Sequence, residues 1–244
     1  MKIAIYDTYD DMSKAAAELV AKQLAEKPAS VLCFPSGDSP TGTLKYLVEW
    51  ANEGKIDLSQ SFIIGLDEWI GMDENDQGSC KYYLKHTFFD QLNTKLTHVT
   101  LFDAKAADLD AECERMNSFI SSKGGLDLMM VGIGMNGHLG LNEPGTPFDL
   151  YAHRSELDPI TVQVGQKYFT QETPLTEGIT LGLKHLAEAG KAVLIASGVK
   201  KADIIHESLQ GTVSTEVPAS ILQRLSNALV LLDKDAASEL EHAS

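Results

Sequence analysis

Cysteine is scarce in this chain, with three in 244 residues. Cys33, Cys80 and Cys113 do not have the spacing of a metal site or of a redox motif, and their odd number predicts reduced thiols rather than disulfides. The first residues, MKIAIYDTYDDMSKAAAELVAKQL, lack the apolar core and the cleavage site of a secretory leader. We therefore expect a cytoplasmic protein.

Basic residues and long apolar runs are also in short supply. Lysine and arginine number 20 against 35 aspartates and glutamates, which gives a formal net charge of −15. A nucleic-acid surface needs basic stripes, and a membrane span needs roughly 20 consecutive apolar residues. We therefore expect no nucleic-acid partner and no membrane partner, although a few local cations and backbone amides could still bind one phosphate group.

What the sequence does contain is a regular alternation of apolar runs and amphipathic segments. SVLCFPSG, SQSFIIGLDEW, LDLMMVGIG, KAVLIASG and ALVLLD have the length of buried strands, and helical patterns lie between them. Apolar strands separated by helices indicate a parallel sheet that is covered on both faces. We predict one α/β domain over residues 1–244, built on a single doubly wound, mostly parallel sheet, with a lid segment near residues 148–176, where the alternation fails.

Ligands of such sheets bind at the carboxyl ends of the strands, so the loops that follow strands are the candidate sites. The first unusual loop is FPSGDSPTGTL, residues 34–44, which places small and hydroxyl-bearing residues before a helix. Backbone N–H groups at a helix N-terminus favour an anion such as phosphate. The loop matches neither the Walker pattern nor the dinucleotide glycine fingerprint, and a simple turn with a good N-cap is the alternative interpretation.

The second unusual loop is GLDEWIG, residues 65–71. Asp67 and Glu68 follow directly on an apolar strand, where carboxylates are costly unless they are paired or used. One of them could serve as a general base if its surroundings raise its pKa. The alternative is an aspartate that caps the next turn.

The third unusual loop is GIGMNGHLGLNEPG, residues 132–145. Its glycines allow the backbone to approach a ligand closely, and His138 can take and give a proton near neutral pH. Glu143 follows five residues later, although a structural histidine is the alternative. Together the three loops offer a phosphate cradle, a carboxylate base and a His/Glu pair, which suits proton transfer on a sugar phosphate. We find no nucleotide motif, metal cluster or nucleophile elbow in the sequence, and we predict no cofactor and no metal.

The motifs LDEWIGM and GIGMNGHLGLNEPG resemble the signatures of the glucosamine-6-phosphate deaminase family, also called glucosamine-6-phosphate isomerases. The resemblance extends over nearly the whole chain, including FPSGDSPTGTLKYL and GTVSTEVPASILQRLSN. The family also contains galactosamine-6-phosphate deaminase/isomerases, which segments such as GITLGLKHL resemble more closely, and 6-phosphogluconolactonases are its cousins.

This resemblance implies deaminating isomerisation of a 2-amino-2-deoxyhexose 6-phosphate, either the galactosamine or the glucosamine epimer, to tagatose- or fructose-6-phosphate and ammonia. His138 matches the ring-opening histidine, Glu143 the carboxylate that supports it, and Asp67 the base that moves a proton from C2 to C1. The best-known deaminases carry aspartate where this chain has Asn136, so Glu143 is expected to carry more of the charge on the imidazole.

The resemblance also implies a set of phosphate-binding residues. It assigns Gly37, Ser39 and Thr41 in the first loop, and Lys201 in GVKKAD. Lys167 in VGQKYF stands where the family has a lid arginine, a replacement that loses bidentate geometry.

Two other functions stay open at this point. The lactonase cousins share a run similar to GHxASLFP where this chain has GHLGLNEPG, so Glu143 favours the deaminase. A non-catalytic sugar-phosphate sensor is the second alternative, since effector domains of some bacterial repressors share the fold. The resemblance leaves the oligomeric state open, a homo-oligomer included.

Overall fold

The structure is a computed structural model that describes residues 1–241. Ten strands occur within these residues: β1 Lys2–Tyr6, β2 Val31–Phe34, β3 Phe62–Gly65, β4 Asp67–Trp69, β5 Val99–Thr100, β6 Leu128–Val131, β7 His153–Glu156, β8 Glu177–Thr180, β9 Ala192–Ala196 and β10 Ala228–Asp233. Seven of them form one sheet in the order β1-β10-β9-β6-β2-β3-β5, and every pairing in it is parallel. The chain order reverses between β2 and β6, which is where such sheets bind ligands.

Helices cover both faces of this sheet, as the sequence predicts. Seven α-helices lie within the described residues: α1 Tyr9–Glu26, α2 Asp38–Asn52, α3 Cys80–Thr87, α4 Leu109–Ser122, α5 Pro159–Gly165, α6 Leu183–Glu188 and α7 Ala202–Gln210. Side chains of α1, α2 and α3 pack on one face with Leu32 and Phe34 of β2, and side chains of α4, α6 and α7 pack on the other with Val31 and Cys33. The strands β2, β6 and β9 are buried along their whole length, which explains their continuous apolar sequences.

A second, smaller sheet was not predicted. Strands β4, β8 and β7 form an antiparallel sheet, in which Asp67 lies opposite Thr180. The prediction of one continuous strand over SQSFIIGLDEW is therefore wrong, because the chain leaves the main sheet after Gly65 and enters the small sheet at Asp67. The buried Leu66 makes the link, with its carbonyl accepting a hydrogen bond from Leu181 N–H at 2.9 Å. The sequence does not reveal this change of sheet, because Leu66 continues the apolar run of β3 and no turn residue separates it from Asp67.

The predicted lid region, residues 148–176, belongs to this small sheet. It contains β7, α5 and a 3-10 helix over Gln166–Tyr168. A separate hydrophobic cluster of Trp69, Leu141 and Leu175 anchors the segment, with Val162 packed against it. None of the helices within residues 1–241 has the length and apolarity that crossing a membrane requires.

Candidate active site

The three loops singled out by sequence meet at one edge of the main sheet. They follow β2, β3 and β6, and a fourth loop, which carries Lys201, follows β9. These strands are neighbours in the order β9-β6-β2-β3, so their carboxyl ends lie side by side at the point where the chain order reverses. The lid segment contributes the remaining contacts.

The two adjacent carboxylates after β3 have different surroundings. Glu68 is fully buried and accepts three backbone hydrogen bonds, from Trp69 at 2.9 Å and from Cys80 and Lys81 at 2.8 Å each. Two of these donors belong to the first turn of α3, whose N–H groups have no partner within the helix. Glu68 therefore caps α3, which makes it a structural residue.

Asp67 is half-buried as a residue and makes no hydrogen bond to the N–H groups of α3 in the described structure. Burial raises its pKa to about 6, and the Cys80 thiol and the nearby His138 oppose that rise. A carboxylate with a pKa near the working pH suits a general base. Burial likewise raises the pKa of Glu68 to about 7, against the opposing effect of its N–H donors.

The loop after β6 folds tightly around its histidine. Gly134 N–H donates to the carbonyl of His138 at 2.9 Å, and Gly137 N–H donates to the carbonyl of Gly134 at 3.2 Å. A Cβ atom at position 134 would collide with the imidazole ring of His138. Glycine is therefore required there because the ring lies directly on the backbone.

A polar network surrounds one side of this imidazole. His138 Nδ1 lies 3.4 Å from Glu143 Oε2, and Asn136 Nδ2 donates to the same oxygen at 2.9 Å. Asn136 Oδ1 accepts the backbone N–H of His138 at 3.3 Å. Within the described residues Asn136 bonds to the neighbours of the ring and not to the ring itself, so Glu143 is the carboxylate that faces the imidazole.

Glu143 is held in place by its surroundings and is only 4% exposed. The preceding Asn142 donates to the carbonyls of Leu139 and Leu181, which ties the loop to the end of β8. Burial alone would raise the pKa of Glu143, but hydrogen bonds from His138, Thr161 and Asn136 outweigh it and the pKa is lowered. Glu143 is therefore a carboxylate that can support a positive charge on the imidazole.

Sequence reasoning missed one member of this network, Thr161 of α5. Its hydroxyl lies 3.0 Å from His138 Nδ1 and 3.4 Å from Asn136 Nδ2. A lone threonine 23 positions beyond the histidine, in a segment where the alternation fails, carries no signal that would have identified it.

The loop after β2 has the geometry expected of an anion site. Gly37 has a φ of 102° and directly precedes α2, which has no side-chain cap in the described residues. Tyr83 of α3 donates to the Gly37 carbonyl at 2.7 Å, and the Thr41 hydroxyl lies 2.5 Å from the Tyr83 hydroxyl. Ser39 lies close to Gly132, so this loop adjoins the histidine loop. The hydroxyl of Thr41 is thus already engaged within the protein.

Both predicted lysines lie near this loop. Lys201 Nζ donates to the carbonyl of Ile133 at 2.6 Å, and Lys167 Nζ forms a 2.6 Å ion pair with Asp38. Burial lowers the pKa of Lys201 to about 8, helped by the charge of Lys167 and opposed by Asp38. The pKa of Lys167 is raised, because Asp38 and Tyr168 outweigh the effect of burial. All nine predicted site residues thus line one edge of the sheet or the lid above it.

Comparison with known proteins gives a consistent family. A family model described as glucosamine-6-phosphate isomerases/6-phosphogluconolactonase matches residues 7–231. A protein named glucosamine-6-phosphate deaminase from Thermoanaerobacter sp. (strain X514) is 39% identical over 240 residues, which cover 98% of this chain and 94% of that protein. One of the same name from Lachnoclostridium phytofermentans is 38% identical over 225 residues, covering 91% and 95%.

Solved structures agree with the sequence comparison. A monomeric glucosamine-6-phosphate deaminase is similar to this chain with a TM-score of 0.94 and 32% identity, over 98% of this chain and 100% of that one. A 6-phosphogluconolactonase from Trypanosoma brucei has a TM-score of 0.74 at 16% identity, over 98% of each chain, and shows a shared fold alone.

Proposed function

Since the chain belongs to the glucosamine-6-phosphate isomerase/6-phosphogluconolactonase family, we propose that it is a deaminating isomerase that converts glucosamine-6-phosphate to fructose-6-phosphate and ammonia. The observation that carries this proposal is the placement of Asp67. A carboxylate with a raised pKa lies near an imidazole–carboxylate pair, at the same sheet edge as an anion-binding loop. This arrangement provides a base, a proton shuttle and a phosphate anchor.

The first step is opening of the sugar ring. His138 presents Nδ1 to Glu143 and Thr161, which leaves Nε2 for the substrate. In our proposal this nitrogen takes the proton of the C1 hydroxyl and returns it to the ring oxygen, which breaks the bond between C1 and that oxygen. Glu143 stabilises the imidazolium that forms between the two transfers.

The second step moves a proton along the open chain. Asp67 takes the proton from C2 while a proton of the substrate ammonium group moves to the C1 oxygen, which gives an enolamine, and Asp67 then delivers its proton to C1. The product is a protonated ketose imine at C2. Water adds to C2, ammonia leaves, and the keto-hexose 6-phosphate remains. A base poised in this way contributes about 10²- to 10⁴-fold in rate.

The substrate phosphate occupies the other end of the site in this proposal. The N-terminus of α2, Gly37 and Ser39 supply N–H and hydroxyl donors, and Lys201 supplies a positive charge from the next loop. Lys167, now paired with Asp38, would exchange that partner for phosphate. Thr41 supports the loop through Tyr83.

The relatives favour the glucosamine epimer, and the residues of the site favour deamination over the two alternatives. The relatives above carry the glucosamine name, whereas motif resemblance alone points to the galactosamine subgroup, and we take the relatives as the stronger guide. The lactonase alternative shares the family description and the fold, but the lactonase structure above is only 16% identical, and this alternative leaves the buried Glu143 network unexplained. The sensor alternative gives no role to Asp67 beside the His138–Glu143 pair.

An ammonia-release assay tests this proposal. Glucosamine-6-phosphate should give stoichiometric ammonia and fructose-6-phosphate, and galactosamine-6-phosphate should react with a lower kcat/KM. Asp67→Asn should abolish both reactions. Hydrolysis of 6-phosphogluconolactone without ammonia release from either amino sugar would refute the proposal.

We also propose that the chain is a cytoplasmic monomer. Its three cysteines are free and buried, which fits a reducing compartment. A net charge of −15 opposes association of identical surfaces, and the similar deaminase structure described above is that of a monomer.

A further inference from the structure

We propose that Thr161, carried by the lid helix α5, is a positioning residue that fixes the ring orientation and the tautomer of His138. The inference rests on the proposed function, in which His138 opens the sugar ring. It assigns a role to a residue that no motif identifies, and it makes the imidazole depend on the position of the lid.

The Thr161 hydroxyl contacts the imidazole of His138. Thr161 is 4% exposed, and its oxygen lies 3.0 Å from His138 Nδ1. This distance is shorter than the 3.4 Å between the same nitrogen and Glu143 Oε2. The hydroxyl is therefore the nearest hydrogen-bonding group to Nδ1, and the carboxylate is the second.

The direction of these hydrogen bonds sets the tautomer. The amide nitrogen of Asn136 can only donate, so it gives a hydrogen to Thr161 Oγ1, 3.4 Å away, and to Glu143. His138 Nδ1 lies 3.4 Å from the Glu143 carboxylate, which can only accept, so this nitrogen carries the hydrogen. The Thr161 hydroxyl oxygen, 3.0 Å from Nδ1, accepts from the same N–H group. Nε2 then carries the free lone pair that ring opening requires.

The packing of the lid fixes the position of α5. The neighbouring Val162 packs against the cluster of Trp69 and Leu175, and a side chain at Gly165 would press on both of these residues. Thr161 lies one helical turn before Gly165 on the same side of α5, so the packing at Gly165 also fixes the place of Thr161 beside the imidazole. The same segment carries Lys167 to the phosphate loop, so one continuous stretch of chain contacts both ends of the site.

Substitution of the hydroxyl tests the proposal. Thr161→Val keeps the shape and removes the hydroxyl, and we expect kcat for glucosamine-6-phosphate to fall about 10- to 100-fold, with KM changed less than about threefold. Thr161→Ser keeps the hydroxyl and should recover most of the rate. Ser208→Ala in α7 is the control, since it also removes a buried hydroxyl that has no hydrogen-bond partner in the described structure, but outside the proposed site, and kcat should not change.

A spectroscopic measurement separates this inference from the proposed function. Two-bond ¹H–¹⁵N correlation spectra of the substrate-free full chain, with His138 identified by its loss in His138→Gln, should show the Nδ1–H tautomer in the wild type. Thr161→Val should show a mixture of tautomers. An Nε2–H tautomer in the wild type, or full activity and an unchanged spectrum in Thr161→Val, would overturn the role of Thr161. A wild type that releases no ammonia would sink the proposed function instead, whatever the spectrum shows.

Discussion

Asp67 and Glu68 are neighbours in sequence, but Asp67 is the proposed general base and Glu68 caps α3. Their amide variants should distinguish these two roles. Asp67→Asn should lower kcat about 10²- to 10⁴-fold, because the base is lost. It should also raise the free energy of unfolding at pH 7.5 by about 1–3 kcal/mol, because burial disfavours the charged form of Asp67 in the folded state. Since the wild-type carboxylate becomes protonated as the pH falls from about 6 towards its ordinary value of 3.8, this gain should disappear at pH 4.

Glu68→Gln is the matched control for that experiment. The amide also relieves the burial of a charge, but it places an N–H₂ group against a backbone N–H donor in the first turn of α3, so the free energy of unfolding should not rise as it does in Asp67→Asn. Urea denaturation measures both variants. A stable, inactive Glu68→Gln protein beside an active Asp67→Asn protein would reverse the assignment.

The pH dependence of turnover should report two other residue-level features. Asp67, with a pKa of about 6, must be ionised to act, so kcat/KM should fall as the pH drops below about 6. Lys201, with a pKa of about 8, must be protonated to hold phosphate, so kcat/KM should also fall above about 8. The control is the pH dependence of inhibition by a hexitol 6-phosphate. Binding of this inhibitor depends on the protonation of its phosphate and of Lys201, as substrate binding does, but it does not depend on the general base. A pH-independent kcat/KM between 5 and 9 would contradict both roles.

Residue chemistry was largely readable from the sequence, and the contacts between residues were not. The motifs of the family resemblance predicted His138, Glu143 and Asp67, although each loop alone also allowed a structural interpretation. Which of Asp67 and Glu68 is structural depends on which carboxylate accepts from the N–H groups of α3, and the fold determines that. Thr161 could not be identified from the sequence, because its contact with His138 also depends on the fold.

At the scale of elements, the predicted lid segment carries two residues of the proposed site, Thr161 and Lys167. Leu175 is buried in the small cluster that anchors α5, so Leu175→Ala should cost about 2 kcal/mol of stability and loosen this segment. Because Thr161 and Lys167 lie on the same segment, kcat should fall and KM should rise together. Hydrogen exchange should accelerate over residues 157–176 more than in the main sheet.

A leucine in the main core serves as the control for that experiment. Leu24→Ala in α1 removes a comparable buried side chain from the cluster on one face of the sheet. It should lower global stability without selective exchange in the lid. Equal exchange profiles for the two variants would show that the lid does not move independently.

Periodicity identified most of the main sheet and failed at the lid. Buried parallel strands are apolar throughout, which is the pattern of β2, β6 and β9. The small sheet is antiparallel, its strand β7 is half exposed, and its strands come from distant parts of the chain, so β7 and β8 gave no comparable pattern. The change of sheet at Leu66 was not predicted, because Leu66 continues the apolar run of β3 and no turn residue separates it from Asp67.

At the scale of the whole molecule, one domain over residues 1–244 remains a prediction, and residues 242–244 lie outside the described part. The pairing of β1 with β10 supports it, since it joins the two ends of the described chain in one sheet. We expect sedimentation equilibrium to give a mass near 26.5 kDa, as for a monomer, and initial rates to follow a hyperbola in substrate concentration. A larger mass that persists on dilution, together with sigmoidal rates, would contradict the monomer.

The catalytic assignment as a whole depends on where the substrate carbon that bears the amine lies. A crystal structure of the protein with 2-amino-2-deoxyglucitol 6-phosphate, a stable analogue of the open-chain sugar, measures this directly. We expect a carboxylate oxygen of Asp67 about 3–3.5 Å from C2, with the phosphate at the N-terminus of α2 beside Lys201. A complex in which the phosphate binds at that loop while C2 lies beyond the reach of Asp67 would contradict the proposed base.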